Sequence, residues 1–121
     1  MPTLRSLELI KKLVAFDTTS RESNLDLIAF IQDYLSDFAI DSLLVHNKEG
    51  TKANLYATLG KTNKSGIMLS GHTDVVPVDG QDWDSDPFRV IEKDENLYGR
   101  GTADMKSFIA VVLAYVPVFL E

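Results

Sequence analysis

Ile67-Met68-Leu69-Ser70-Gly71-His72-Thr73-Asp74 is the stretch on which the fold turns. Three apolar residues run together without a polar alternate, the pattern of a short strand buried on both faces. A histidine and an aspartate follow at its carboxyl end, where open α/β sheets bind ligands. Two residues apart on an extended backbone, His72 and Asp74 share one face. Imidazole is a common zinc ligand, and a carboxylate can grip the ring nitrogen that does not touch the metal. Taken alone, such a pair reads more simply as a strand-end histidine satisfied by its neighbour.

Downstream lies Tyr98-Gly99-Arg100-Gly101-Thr102-Ala103-Asp104-Met105-Lys106. Its small residues let backbone approach another group closely. Asp104 stands just ahead of an apolar helical run. Alone it reads as an N-cap; the other reading is a carboxylate that bridges metal ions, its charge favoured by the helix N-terminus.

The flanking segments fit an α/β arrangement. Leu4, Leu7, Ile10, Leu13 and Val14 recur at helical spacing and predict a helix over residues 4–16. Asp17-Thr18-Thr19-Ser20 ends it. Asn24 is placed to cap a second helix reaching about Asp37, with Leu25, Ile28, Ile31, Leu35 and Phe38 on one face. Residues 42–45 and 54–59 are β-prone and separated by Asn47-Lys48-Glu49-Gly50, a turn. Residues 88–92 and 97–98 flank Lys93-Asp94-Glu95-Asn96 as a hairpin would. The last helix, from near Met105, is apolar on nearly every side and should be central.

The 121 residues suffice for one domain with a core, and 45% hydrophobic with 25% charged residues is the composition of a globular chain. A net charge of -6, with an acidic run from Asp79 to Glu95, argues against a nucleic-acid partner. Without cysteine there is no disulfide framework and no thiolate metal site. The run from Phe108 to Leu120 is too short for a membrane span and contains Pro117. A cytoplasmic location and no membrane partner are expected.

Look-alike motifs fail on spacing. Gly99-x-Gly101 lacks the third glycine of a dinucleotide fingerprint, and Gly60-Lys61-Thr62 has Leu55 where a phosphate loop needs its first glycine. Asp82, Asp84 and Asp86 resemble a calcium loop, but Pro87 and Lys93 occupy its glycine and glutamate positions. His46 reads as a surface residue.

Taken together, Ser70-Gly71-His72-Thr73-Asp74-Val75-Val76-Pro77 and Gly99-Arg100-Gly101-Thr102-Ala103-Asp104-Met105-Lys106 resemble the two opening metal motifs of the dinuclear zinc aminoacylase and carboxypeptidase (M20-type) family. Val78-Asp79-Gly80-Gln81-Asp82-Trp83, Ser85-Asp86-Pro87-Phe88 and Leu13-Val14-Ala15-Phe16-Asp17-Thr18-Thr19-Ser20 are similar to its amino-acid deacetylase branch. The resemblance implies that residues 1–121 form the N-terminal part of a zinc-peptidase-like catalytic domain, with a mixed sheet flanked by helices, ahead of a lid or dimerisation domain.

Residue by residue, it implies that His72 is a ligand to one ion and that Asp104 bridges two, followed by a cis peptide bond to Met105. It also implies that Asp74 is the catalytic-site residue that orients His72. Trp83 and Phe88 carry no assigned chemistry and are expected to pack the loop. The implied cofactors are two divalent ions, zinc or alternatively cobalt, which activate a water and polarise an amide carbonyl. The implied substrate is a small N-acyl amino acid, and the full-length form is expected to be a homodimer.

Desuccinylation is the sister activity, and a non-catalytic relict that binds an intact paralogue is the reading from another class. The family's Glu-Glu pair, later acidic ligand and later histidine do not occur within residues 1–121. The chain alone is therefore expected to be inactive, marginally stable and prone to aggregate.

Overall fold

The computed structural model describes residues 2–121, with side chains from Arg5 onward, so Leu4 of the expected apolar stripe lies outside the described side chains. Helix α1 spans Pro2–Val14, two residues shorter at its C-terminal end than its periodicity predicts. It buries Leu9, Ile10, Leu13 and Val14. Helix α2 runs Leu25–Ser36 and buries Leu27, Ile28, Ile31, Tyr34 and Leu35. Helix α3, Lys106–Phe119, packs chiefly on α1. Its buried positions are Lys106, Ala110, Leu113, Ala114 and Val116. The Tyr34 hydroxyl donates to the Leu113 carbonyl at 2.8 Å, tying α2 to α3 inside the core.

Asn24 stands at the N-cap of α2 but makes no side-chain cap bond. Its amide reaches across to strand β2 instead: Nδ2 donates to the Ala53 carbonyl at 2.9 Å, and Oδ1 accepts from Ala53 N–H at 3.0 Å. Nδ2 also donates to Thr73 Oγ1 at 3.0 Å. Ser23 Oγ receives the Leu25 N–H at 3.1 Å in place of the expected cap. A bidentate tertiary contact has outcompeted the local one.

Strands β1 (Ser42–His46) and β2 (Ala53–Ala57) form an antiparallel hairpin, and β3 (Ile91–Lys93) and β4 (Asn96–Tyr98) form a second. In the first turn, Asn47 Oδ1 accepts both Thr51 and Lys52 N–H groups at 2.9 Å. In the second, Asp94 and Glu95 have φ of 51° and 60°, the two left-handed residues that a tight hairpin turn requires.

The α/β class stands, with its strands grouped in two separate ladders rather than one mixed sheet. The parallel pairing among the described residues is one isolated bridge, Thr19 with Val75. The strand expected at residues 67–69 does not form. Ile67, Met68 and Leu69 are 91%, 74% and 50% exposed. A strand buried on both faces needs a ladder partner and a layer on each face; among the described residues no strand pairs with 67–69 and no layer covers them. The outer face of α3, with Phe108, Val111, Tyr115, Val118 and Phe119, is also partly exposed, so its expected central position is met on one face only. Among the described residues, no helix is long and apolar enough to cross a membrane.

The uncovered run carries a prediction. Ile67→Thr combined with Met68→Lys should change the unfolding free energy by no more than about 0.5 kcal/mol, because both side chains lie in solvent. Self-association in sedimentation velocity should fall, since an exposed apolar extended segment is a template for pairing. Unchanged association would locate the adhesive surface elsewhere.

Candidate metal centre

The two motifs, about thirty residues apart in sequence, meet in space. His72 Nε2 lies 2.8 Å from Asp104 Oδ1. On the other side of the ring, Nδ1 lies 3.0 Å from the Asp74 carbonyl and 3.1 Å from Asp74 Oδ1. The imidazole is thus held between two aspartates. These side chains are 48% exposed for His72, 52% for Asp74 and 84% for Asp104, so the centre is open to solvent.

The backbone explains how the halves are brought together. Val75 is buried, pairs with Thr19 and anchors the first motif beside the turn that follows α1. Gly101 adopts φ of 95°, and a Cβ there would stand 3.0 Å from Val75 Cγ1 and 3.2 Å from Lys106 Cδ. Glycine therefore lets the second motif turn tightly against the first. Gly71 is similarly close to Met105, whose Sδ accepts the His72 N–H at 3.4 Å. The Asp104–Met105 peptide bond is cis, as the family resemblance implies.

Asp104 is not the N-cap of α3; Met105 occupies that position. The capping reading of this aspartate fails, and its carboxylate is turned to His72 instead. The pKa of His72 is raised, first by its hydrogen bond to the Asp74 backbone and then by Asp104. The Asp74 carboxyl is lowered, chiefly by a hydrogen bond from Ser20.

The donor set fits part of a metal site. An imidazole nitrogen and a carboxylate oxygen are both ordinary zinc ligands, and two ligands of a tetrahedral zinc stand roughly 3.3 Å apart. The observed 2.8 Å needs an opening of about half an ångström, which exposed side chains allow. Among the described residues, no group of three or more His, Asp or Glu is gathered for a metal ion. As ligands, His72 and Asp104 would make up two of the four that zinc usually takes.

Two residues that touch this region carried no role in the sequence reading. Lys106 is fully buried, and its Nζ donates to the Phe16 carbonyl at 2.6 Å. Ser20 donates to Asp74 Oδ2 at 2.8 Å. A lone lysine at the head of an apolar helix was a legible signal; nothing local marks Ser20. Trp83 lies under the Arg100 guanidinium, 5.3 Å from ring centroid to Cζ, and donates to Gln81, which also binds Arg100. His46 is exposed at the end of β1.

Two motifs joined in this way match the arrangement that the M20-type resemblance implies. Residues 68–121 match the family model described as Peptidase family M20/M25/M40. Over 115 residues, 88% of this chain, the sequence is 39% identical to acetylornithine deacetylase of Shigella sonnei (strain Ss046). The chain spans 30% of that relative's length.

Proposed function

We propose that this chain is the metal-holding front part of an amide hydrolase that removes the acetyl group from N-acetylornithine, giving ornithine and acetate. The observation that carries the reading is the convergence of His72 Nε2 on Asp104 Oδ1 with Asp74 behind the ring. The 39% identity to a deacetylase supports the choice of acyl group. Residues 1–121 would then form one part of the catalytic domain, and a homodimer of the full-length form remains part of the proposal.

Divalent ions, zinc foremost, would supply Lewis acidity toward the amide carbonyl and a nucleophile at neutral pH. His72 and Asp104 would hold them. A proton on Nδ1 would be donated to Asp74, whose backbone carbonyl and Oδ1 both face it, so that Nε2 on the side of Asp104 could turn to an ion. The raised pKa of His72 means that protons compete with metal for Nε2, so occupancy falls on acidification. The Glu-Glu pair that the resemblance implies as base and ligand does not occur within residues 1–121, and the chain alone should not turn over substrate.

A chimaera tests this. In it, residues of the Shigella sonnei deacetylase that align with this chain are replaced by this chain. The chimaera should deacetylate N-acetylornithine in a metal-dependent way, and His72→Ala in the same background should abolish the activity. The 121-residue chain assayed by itself with zinc should show none. A folded, metal-loaded chimaera that cleaves N-succinyl-diaminopimelate but spares N-acetylornithine would replace deacetylation by desuccinylation.

A further inference from the structure

Asp79-Gly80 is the one aspartate–glycine pair in the sequence, and it occupies an open turn just beyond the first motif. The Gln81 N–H donates to the Val78 carbonyl at 3.0 Å, which makes Asp79 and Gly80 the two central residues of that turn. Gly80 has φ of 72°, the left-handed value that a type II turn needs at its third residue. Both residues are exposed. Beyond the chain neighbours, no atom lies within 4 Å of the place a Gly80 Cβ would take. Among the described residues, the Gly80 N–H makes no hydrogen bond. An amide nitrogen without a partner or steric cover thus stands next to an aspartyl carboxyl.

These groups can cyclise. The Gly80 nitrogen bonds to Asp79 Cγ, the carboxyl loses its hydroxyl as water, and the amide proton passes to solvent. The resulting succinimide ring takes up water at either of its carbonyls. Opening between Cγ and nitrogen restores aspartate. Opening at the main-chain carbonyl leaves the chain running through the β-carbon, as isoaspartate. The water lost in closing is regained in opening, so the change is an isomerisation that needs no co-reactant.

Ring closure needs the neutral carboxyl, because a carboxylate has no hydroxyl to lose. Arg21 opposes it. Its Nη2 donates to Asp79 Oδ1 at 2.8 Å, and this bond comes first among the causes that hold the Asp79 carboxyl below its ordinary range. Both side chains are more than half exposed, so the pair is weak and screened by salt. Ring closure is therefore slowed and not blocked. Isoaspartate moves a methylene from the side chain into the main chain, which takes the carboxylate out of its register with Arg21.

We propose that Asp79 is a site of spontaneous isomerisation to isoaspartate, open to the reaction in the folded protein and slowed by its ion pair with Arg21. The site is separate from His72 and Asp104 and involves no ion.

The test incubates the folded full chain at physiological temperature and neutral pH, beside Arg21→Gln, Asp79→Glu and wild type unfolded in urea. Isoaspartate is measured by labelling with isoaspartyl methyltransferase and located by peptide mapping. Asp41 and Asp84 are exposed and each precedes a serine, whose side chain crowds the attacking nitrogen, so they serve as internal comparators.

Isoaspartate should appear at residue 79 ahead of residues 41 and 84. Arg21→Gln should raise the rate at residue 79 about 2- to 5-fold, the range that loss of an exposed ion pair allows. Asp79→Glu keeps the charge but would have to close a larger ring, and should show no conversion there. Faster conversion at residue 41 or 84 overturns the proposal, as does a rate that Arg21→Gln leaves unchanged. Conversion at residue 79 in urea but not in the folded chain overturns it as well, because the native turn would then keep nitrogen and carboxyl apart.

Discussion

Replacing Lys106 by alanine should lower the unfolding free energy by about 3 kcal/mol, a large share of what a domain of this size has to lose. Lys106 has no exposed surface. Its N–H donates to the Gly101 carbonyl at 2.8 Å, and its Nζ donates to the Phe16 carbonyl at 2.6 Å. The side chain thus links the start of α3 to the end of α1, across the elements that position Asp104 and Ser20. Alanine would leave a cavity against Gly101 and an unsatisfied carbonyl at Phe16. Lys106→Met also leaves the Phe16 carbonyl without its donor, but it keeps the volume and removes a buried charge, so it should lose only about 1–2 kcal/mol. Urea denaturation of the three proteins checks this. Equal losses for alanine and methionine would show that the ammonium, rather than the packing, carries the effect.

The same residue gives a pH dependence with a definite sign. Burial lowers the Lys106 pKa from 10.5 to about 8. Below about pH 8 both folded and unfolded chains carry the proton, and the folded state bears the full cost of the buried charge. Between about 8 and 10.5 the unfolded chain binds more protons, so stability contributed by this group rises with pH. The arithmetic ceiling is roughly 3 kcal/mol, and solvent screening brings the expected gain to about 1–2 kcal/mol. The difference between wild type and Lys106→Met isolates this contribution: the methionine variant should lack the rise.

What the sequence made legible follows from locality. Three helices and two hairpins could be read from spacing and turn residues because each depends on its own side chains; the pair Asp94-Glu95, for instance, sits where a tight turn needs left-handed backbone. The ladder structure was less accessible, since Ile67-Met68-Leu69 is a buried strand only if something pairs with it, and that partner cannot be read from the three residues. Asn24 was misread for a related reason: an asparagine before a helix fits a cap, and only the fold brings Ala53 and Thr73 within its reach. At the centre, His72, Asp74 and Asp104 were visible because residue type and motif spacing carry them. Ser20 and the tether from Lys106 to Phe16 were not, because each contact spans more than fifty residues of sequence.

His72→Ala should weaken zinc binding by about 100-fold. The estimate comes from sharing the roughly 10–16 kcal/mol of a complete four-ligand site equally, about 3 kcal/mol for each ligand. Asp104→Asn should cost about as much, because the amide keeps the shape and a hydrogen bond to His72 while losing the charge that attracts the ion. The double variant is the sharper comparison. If both residues hold one ion, either single change already removes most of the binding, and the two losses will not add. Additive losses would mean that His72 and Asp104 serve different ions or none. Asp74→Asn should fall between these variants and wild type, near a 10-fold loss, since Asp74 reaches the ion only by orienting the imidazole. Chelator competition measures all four, and their ranking is diagnostic: an effect of Asp74→Asn as large as that of His72→Ala would make Asp74 a ligand. Zinc affinity indifferent to His72 would place the ion on the acidic stretch from Asp79 to Glu95, and the 2.8 Å pair of His72 and Asp104 would then be an ion pair and nothing more.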